Sequence, residues 1–191
     1  MRDIEQCLRQ ILQFRQNRTP VSEALVVDSG HILGSGPGMS RALKLLAQAA
    51  KSEVNVLLLG ETGVGKELFA RALFRNSARA ARPFITVDCA SLPETLVESH
   101  LFGHSRGAFT GADRAREGLL LAADKGTLFL DEVGDLPQPM QGVFLRALEQ
   151  RRFRPVGEVR EVSSDFRLVA ATNKNLEHMA KENSFRADLL Y

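Results

Sequence analysis

The sequence of 191 residues has little of what marks a metal-binding, membrane or nucleic-acid-binding protein. Its two cysteines, Cys7 and Cys89, and its four histidines have no metal-ligand spacing, and we interpret the cysteines as reduced thiols in preference to one disulfide. No apolar run approaches the roughly 20 residues of a membrane helix, and the charged N-terminus lacks the apolar core of a signal peptide. A net charge of +2 is too small to indicate a nucleic-acid-binding surface. We therefore expect a soluble, cytoplasmic protein, with no support for membrane or DNA binding.

Four short apolar segments alternate with segments of helical periodicity. Each of the four is apolar throughout, which is typical of a strand that is buried on both faces. Strands that alternate with helices indicate a parallel sheet with helices on both sides. We therefore predict a three-layer α/β/α domain with a mostly parallel central sheet. The predicted strands are residues 54–60, 84–87, 127–130 and 166–172, and the predicted helices read MSRALKLLAQAA, KELFARALF, MQGVFLRALEQ and LEHMA.

The first part of the chain has a different pattern. Apolar residues at helical spacing predict an amphipathic helix over residues 3–16, and residues 20–30 are interpreted as a linker. We therefore divide the chain into an N-terminal helix and linker, residues 1–28, and an α/β domain, residues 29–191.

Local sequence also predicts how two helices begin. Ser35 and Pro37 precede MSRALKLLAQAA and are expected to act as its cap and its first-turn proline. Ser91 and Glu94 stand three residues apart before an apolar stretch, a pattern that resembles a capping box.

The segment GETGVGK, residues 60–66, fits the phosphate-binding pattern G-x-x-x-x-G-K between a predicted strand and a predicted helix. Its glycines permit backbone angles that turn successive N–H groups inward, and the helix N-terminus adds a positive dipole end. Lys66 is expected to reach the β- and γ-phosphates. Glu67 stands where a magnesium-binding Ser or Thr is usual, so magnesium needs other ligands or bridging water. The alternative is a glycine turn that binds nothing.

Two further strand ends carry polar residues to the edge of the sheet where ligands bind in open α/β folds. Asp131 is expected to hold Mg²⁺ directly or through water, and Glu132 to orient and deprotonate the attacking water; the alternative is acidic capping after a strand. Asn173 is expected to sense the γ-phosphate through its amide, whereas the alternative is that Thr172 or Asn173 caps the next helix. The predicted nucleotide-binding residues are Gly60, Glu61, Thr62, Gly63, Val64, Gly65, Lys66, Glu67, Asp131 and Asn173.

The segment GAFTGA, residues 107–112, has neither the length nor the period of a buried helix or strand. Gly107 and Gly111 are expected to form a hinge on either side of Phe109, which offers an apolar anchor to a partner. An exposed phenylalanine reduces solubility unless binding uses it, and the alternative is a ring packed beneath a turn. The predicted partner-binding residues are Gly107, Ala108, Phe109, Thr110, Gly111 and Ala112.

Five segments together resemble the AAA+ ATPase domain of sigma-54-dependent transcriptional activators, also called bacterial enhancer-binding proteins. The likeness runs from His31 to Tyr191, and GAFTGA is the signature that separates this family from other AAA+ proteins. The family also commonly reads GKE where this sequence has Glu67. The segments that resemble the family are GETGVGKE, LFGHSRGAFTGA, GTLFLDEVGDLP, RLVAATN and SFRADLLY.

The resemblance implies a P-loop NTPase fold with ATP and Mg²⁺ as cofactors. It implies hydrolysis between the subunits of a ring, usually a hexamer, and a GAFTGA loop that moves with the nucleotide and contacts sigma-54 of RNA polymerase. Hydrolysis then remodels the polymerase complex, so that the polymerase opens DNA. Phe109 and Thr110 match the contact positions of that loop.

Three other positions carry over from the family. Asp88 stands where the family often has an asparagine that restrains the catalytic glutamate, and an ionised aspartate cannot donate that hydrogen bond. Arg186 matches an arginine finger that reaches a neighbour's γ-phosphate, with a surface arginine as the alternative. Residues 153–160, FRPVGEVR, resemble a second loop that cooperates with GAFTGA. The predicted catalytic residues are Glu132, Arg186 and Asp88.

The sequence ends at Tyr191 inside a predicted helix, whereas the family continues with a second finger arginine, a fifth core strand, a helical lid and often a DNA-binding helix-turn-helix. We therefore expect a missing lid, weaker nucleotide binding and poor ring assembly.

Two functions stay open: an ATPase that acts on sigma-54 polymerase, or a non-catalytic nucleotide- or sigma-54-binding module that modulates full-length relatives. A P-loop kinase or small GTPase is disfavoured because it leaves Asp131, Glu132, Arg186 and GAFTGA without a joint role.

Overall fold

The computed structural model of the protein describes Ile32 and residues 36–190. The predicted N-terminal helix over 3–16, the linker over 20–30 and the capping role of Ser35 lie outside these residues. Within them no helix is long and apolar enough to cross a membrane.

The strands form one central sheet and two small hairpins. The central sheet has four parallel strands in the order β1-β8-β5-β2, which confirms the predicted parallel sheet. The strands are β1 Val56–Leu59, β2 Phe84–Asp88, β3 Gly103–His104, β4 Arg116–Glu117, β5 Thr127–Asp131, β6 Arg152–Phe153, β7 Val162–Ser163 and β8 Arg167–Thr172.

Helices cover both faces of this sheet, and each predicted helix of the domain is present. Pro37 lies at the first turn of α1, as predicted, where its missing N–H leaves no hydrogen bond unmade. The helices are α1 Pro37–Ala50, α2 Lys66–Arg75, α3 Glu94–Phe102, α4 Leu119–Ala122, α5 Gln138–Gln150, α6 Leu176–Lys181 and α7 Ala187–Leu190. A 3-10 turn, Val133–Asp135, follows β5.

Side chains alternate between two cores along β5 and β8. Phe129 and Val169 pack with α1 and α2 on one face. Leu130 and Leu168 pack with the other helices on the opposite face. This period of two places a hydrophobic layer on each side of the sheet, and it explains why the strands are apolar at most positions.

The capping box predicted at Ser91 and Glu94 is wrong. Helix α3 begins at Glu94 after Pro93, and no side chain caps it. The Ser91 hydroxyl donates instead to the carbonyl of Asp88 at 3.0 Å. Ser91 therefore closes the turn after β2, two residues before the cap position of the helix, which is Pro93.

Arg79 bonds residues that precede three strands, β1, β8 and β5, at the edge of the sheet where the strands begin. Its guanidinium bonds Glu53 at 2.7 Å, the carboxylate of Asp165 at 3.3 Å and the carbonyl of Gly126 at 3.2 Å. Partial burial alone raises the pKa of Asp165, but bonds from Arg79 and Lys125 outweigh burial and hold that pKa below its usual value. The ionised Asp165 therefore stabilises the fold.

Replacing Asp165 with asparagine is expected to destabilise the protein at neutral pH by about 1 kcal/mol or less, because the carboxylate is partly exposed and screened by solvent. A carboxyl whose pKa is lowered by folding contributes stability above its unfolded pKa of about 3.9, and loses it as the pH falls through the folded value. The difference between parent and variant should therefore shrink in acid. Thermal unfolding midpoints measured from neutral pH to below about pH 4 test this.

The control for this experiment is Asp113→Asn, a change at an exposed aspartate elsewhere on the surface. A deficit in Asp165→Asn that stayed constant down to the lowest pH would contradict the role of the charge.

Candidate nucleotide site and partner loop

The phosphate loop has the backbone that its glycines were expected to provide. Gly63 and Gly65 have φ of 81° and 92°, in the left-handed region that glycine adopts without strain. Gly65 is the last residue before α2, so the N-terminus of α2 opens directly onto the loop. Residues 61–64 are exposed to solvent. A phosphate that approaches from solvent therefore meets both the loop amides and the positive end of the helix dipole.

Lys66 lies beneath this loop and pairs with Glu132. Its Nζ donates to the carbonyls of Gly60 at 3.0 Å and Glu61 at 3.3 Å. The same Nζ lies 3.1 Å from Oε1 of Glu132, and the two side chains are only 8% and 18% exposed. Two residues predicted from separate motifs are thus in direct contact.

Glu132 is held by three neighbours in an unusual backbone conformation. Its Oε2 accepts hydrogen bonds from the Thr172 hydroxyl at 3.2 Å and from the backbone N–H of Asn173 at 3.0 Å. Its φ and ψ of 48° and 52° are left-handed, which costs about 1–2 kcal/mol for a residue with a side chain. Such strain persists where the surroundings fix the residue, and it concentrates at functional sites.

Asn173 connects the end of β8 to the phosphate loop. Its amide Nδ2 donates to the Thr62 hydroxyl at 2.9 Å. The alternative interpretation, a cap for the next helix, is not observed, because Asn175 caps α6 through a hydrogen bond from the His178 N–H at 3.0 Å. The predicted sensing of a γ-phosphate by Asn173 stays a prediction.

Asp131 lies at the end of β5, opposite Asp88 at the end of β2. Burial raises the pKa of Asp131, and the negative charges of Glu132 and Asp88 add to that effect, while Lys66 and the Glu132 N–H oppose it. Asp88 itself accepts a hydrogen bond from the Ala90 N–H at 3.0 Å. The structure thus places Asp88 beside Asp131, and its predicted control of Glu132 stays untested.

Two predicted site residues lie apart from this cluster. Glu67 pairs with Arg71 one turn along the exposed side of α2, at 2.7 Å. Arg186 forms a two-pronged ion pair with Asp188, with contacts of 3.0 and 2.6 Å, and its backbone N–H donates to Gln141 at 2.8 Å. Arg186 is exposed, as a residue that reaches a neighbouring subunit must be, but a surface arginine fits this position equally well.

Sequence reasoning missed the ion pair that supports the end of β8. Nζ of Lys174 lies 2.6 Å from the carboxylate of Asp135, which belongs to the turn after Glu132. A side chain at Gly134 would come within 3.0 Å of both Lys174 and the Thr172 hydroxyl. The sequence signal for this pair was Gly134 in DEVGD, because a residue without a side chain lets Lys174 approach closely.

The GAFTGA segment forms a loop between β3 and β4. Gly107 and Gly111 have φ of 80° and 95°, and the Gly107 N–H bonds the Ala112 carbonyl at 2.8 Å, which closes the loop. Phe109 is 39% exposed, so the alternative of a ring packed fully beneath a turn is wrong. Its ring contacts the His104 imidazole, with centroids 5.0 Å apart.

The hairpin of β6 and β7 carries the predicted second loop, and this loop touches the first. The Ser105 N–H donates to the Val156 carbonyl at 3.0 Å, and the Val156 N–H donates to Gly103 at 2.9 Å. A side chain at Gly157 would come within 2.7 Å of Ala108 Cβ. The two loops are therefore joined through backbone that has no room for a side chain.

Comparison with known proteins agrees with this arrangement. The model of the Sigma-54 interaction domain family matches residues 32–191. The chain is 51% identical over 162 residues to the regulatory protein AtoC of Escherichia coli (strain K12), covering 85% of this chain and 35% of AtoC. It is 48% identical over 172 residues to the Nif-specific regulatory protein of Bradyrhizobium diazoefficiens, covering 90% of this chain and 30% of that protein. The chain thus spans about a third of the length of these relatives.

Solved structures show the same fold. NtrX from Brucella abortus superimposes with a TM-score of 0.78 at 35% identity, over 83% of this chain and 35% of NtrX. NtrX has also been solved in complex with ADP, with a TM-score of 0.77 at 34% identity over 84% of this chain and 35% of NtrX. The P-loop NTPase domain of an E. coli sigma-54 activator, at 21% identity and a TM-score of 0.52, supports the fold alone. The chain has the P-loop NTPase fold, and it belongs to the Sigma-54 interaction domain family.

Proposed function

We propose that the chain binds ATP with magnesium, hydrolyses it, and uses the nucleotide to move the GAFTGA loop against sigma-54 of RNA polymerase. The observation that carries this proposal is the meeting of Lys66, Glu132 and Asn173 at one edge of the parallel sheet. Three separate motifs supply these residues. A shared site for the γ-phosphate explains why they converge.

The nucleotide is expected to bind with its phosphates on residues 60–66. The amides of this loop and the N-terminus of α2 favour a polyanion. Complexes of NtrX with ADP and with ATP support an adenine nucleotide as the ligand.

Magnesium is expected to bind at Asp131. Carboxylate oxygen is the donor that Mg²⁺ prefers, and this ion usually takes one or two carboxylates together with phosphate oxygens and water. The part of the chain that the structure describes holds no cluster of three His, Cys, Asp or Glu side chains for a metal ion. Asp131 would therefore hold the ion, directly or through water, and the ion would supply positive charge to offset the negative charge that develops on the phosphates.

Glu132 is expected to accept the proton of the attacking water. Its carboxylate also pairs with Lys66, and a γ-phosphate competes for the same ammonium group. ATP binding is therefore expected to weaken this pair and to free one carboxylate oxygen for water. The bonds from Thr172 and Asn173 then keep the other oxygen oriented.

The route from the nucleotide site to the partner loop is short. Asp88 ends β2 beside Asp131, and α3 is the single helix between Asp88 and the base of the GAFTGA loop. Movement at the end of β2 is expected to shift α3 and with it the loop. Phe109 then meets sigma-54 in one nucleotide state more than in the other.

We also propose that the chain assembles into a ring of subunits in the cytoplasm, which in the family is usually a hexamer. Arg186 is exposed and would act on the nucleotide of a neighbouring subunit, which requires its pair with Asp188 to open. Such an arginine stabilises the charge of phosphoryl transfer.

Turnover of ATP by the parent chain and by Lys66→Ala tests this function. Loss of Lys66 removes a charge that binds the phosphates, and we expect turnover to fall by about 10²-fold or more, together with loss of nucleotide binding. Phosphate release and binding of a fluorescent ATP analogue provide the two measurements. Lys44→Ala, at an exposed position on α1, is the matched control.

A second function is favoured by Asp88, whose carboxylate cannot make the asparagine contact of the family. In that case the chain binds nucleotide or sigma-54 without hydrolysis and modulates full-length relatives. Nucleotide binding that Lys66→Ala abolishes, with no turnover above background in the parent, would support this module and contradict the ATPase.

A further inference from the structure

We propose that His104 is a docking platform for Phe109, which holds the apolar tip of the GAFTGA loop against the protein and limits how often that tip is free to bind a partner. The imidazole and phenyl rings have centroids 5.0 Å apart and an interplanar angle of 59°. Aromatic rings prefer tilted or edge-to-face contacts in this distance range. Phe109 remains 39% exposed, so the platform covers the ring only in part.

The backbone of His104 is held on two sides, and Phe109 lies between the two glycines of its loop. His104 pairs with Arg116 across β3 and β4 and forms a bridge with Val156 of the second loop. Phe109 lies in a turn that the Ala112 N–H closes on the Phe109 carbonyl at 3.0 Å. The glycines on either side of Phe109 would let its ring leave the imidazole while the backbone of His104 keeps its place.

His104 contacts Phe109 through ring packing. Its Nδ1 is buried and has no hydrogen-bond partner in the described part of the chain. An unsatisfied buried nitrogen is unfavourable, so a phenyl ring at this position should hold Phe109 at least as well. His100, on α3, provides a contrast because its Nε2 faces Arg116 at 3.3 Å.

Docking of the tip lowers the apparent affinity of any partner that binds the free tip. For a ligand that binds only the free tip, the apparent association constant is the intrinsic constant multiplied by the fraction of time that the tip is free. Removing an aromatic contact of this kind should raise the ratio of free to docked tip about two- to tenfold. This part of the inference rests on the proposed contact between the loop and sigma-54.

A single tryptophan introduced by Phe109→Trp tests the platform directly, because the sequence has no tryptophan and one tyrosine. We expect His104→Ala in the Phe109→Trp background to raise quenching of the indole by acrylamide. His104→Phe should restore the protected indole, and His100→Ala should match the parent. Equal quenching in the His104→Ala and parent backgrounds, or an equal rise in the His100→Ala background, would overturn the platform.

A second measurement does not depend on the folding of the His104→Ala variant. Phe109→Leu changes only a half-exposed loop residue, and the chain has four histidines whose imidazole protons NMR can resolve. Loss of the Phe109 ring current should move the His104 resonances and leave those of His100 in place. Unmoved His104 resonances would overturn the platform.

Binding to purified sigma-54 separates the platform from the proposed function. His104→Ala should bind sigma-54 more tightly than the parent in the absence of nucleotide, by up to about tenfold when the tip of the parent is mostly docked. If the indole of the Phe109→Trp background becomes accessible while sigma-54 binds neither protein, the platform stands and the proposed function fails. If sigma-54 binds both proteins equally, the platform does not limit the partner contact.

Discussion

Replacing Glu132 with glutamine is expected to slow ATP turnover by about 10²- to 10⁴-fold, the usual contribution of a positioned general base. Glutamine can still accept hydrogen bonds from Thr172 and the Asn173 N–H, so the end of β8 should keep its place. The amide cannot pair as an ion with Lys66, which leaves that ammonium group free for phosphate. We therefore expect nucleotide affinity to stay the same or to increase while hydrolysis is lost.

Phosphate release and equilibrium binding of ADP measure these two effects separately. ADP is the better ligand for this comparison, because its binding does not depend on whether the variant hydrolyses it. The matched control is Glu98→Gln, the same chemical change on the exposed side of α3. Parent-like turnover in Glu132→Gln would contradict the role of Glu132 as the base. Loss of ADP binding would show that Glu132 supports the site structurally.

Replacing Phe109 with alanine is expected to weaken binding to sigma-54 by about 30-fold or more, as the loss of an aromatic anchor at the centre of an interface does. ATP turnover should stay near that of the parent, because Phe109 contacts His104 and lies outside the cluster of Lys66, Glu132 and Asn173. Sedimentation or fluorescence anisotropy with labelled sigma-54 measures the first effect, and phosphate release measures the second.

Val54→Ala provides the control for general surface hydrophobicity. Val54 is 47% exposed, close to the exposure of Phe109, and it precedes β1 at the edge of the sheet where the strands begin. An equal loss of sigma-54 binding in the two variants would show that the effect is not specific to the loop. Loss of ATP turnover in Phe109→Ala would contradict the separation of the two sites.

The sheet could be predicted because its strands are apolar at most positions and end at polar residues or glycine. TLFL ends at Asp131, and RLVAAT ends at Asn173, so both the strands and their functional edge are visible in the sequence. The phosphate loop could be predicted because Gly63 and Gly65 occupy positions that need left-handed backbone. In each case local chemistry and tertiary position agree.

The contacts within the site could not be predicted in the same way. Glu132 has a left-handed backbone, and its carboxylate has three partners that lie far from it in the sequence, Lys66, Thr172 and Asn173. The pair of Lys174 and Asp135 likewise joins residues 39 positions apart. The contact of His104 with Phe109 depends on two hairpins whose strands have two residues each, too short to show a period of two.

We propose that the nucleotide controls the contact between the GAFTGA loop and sigma-54. The most direct test is binding of the chain to sigma-54 in the presence of Mg²⁺ and ADP, with and without a metal fluoride that mimics the γ-phosphate in transfer. The proposed mechanism predicts tight binding with the metal fluoride and weak binding with ADP alone. Equal binding under both conditions, or none under either, would contradict it.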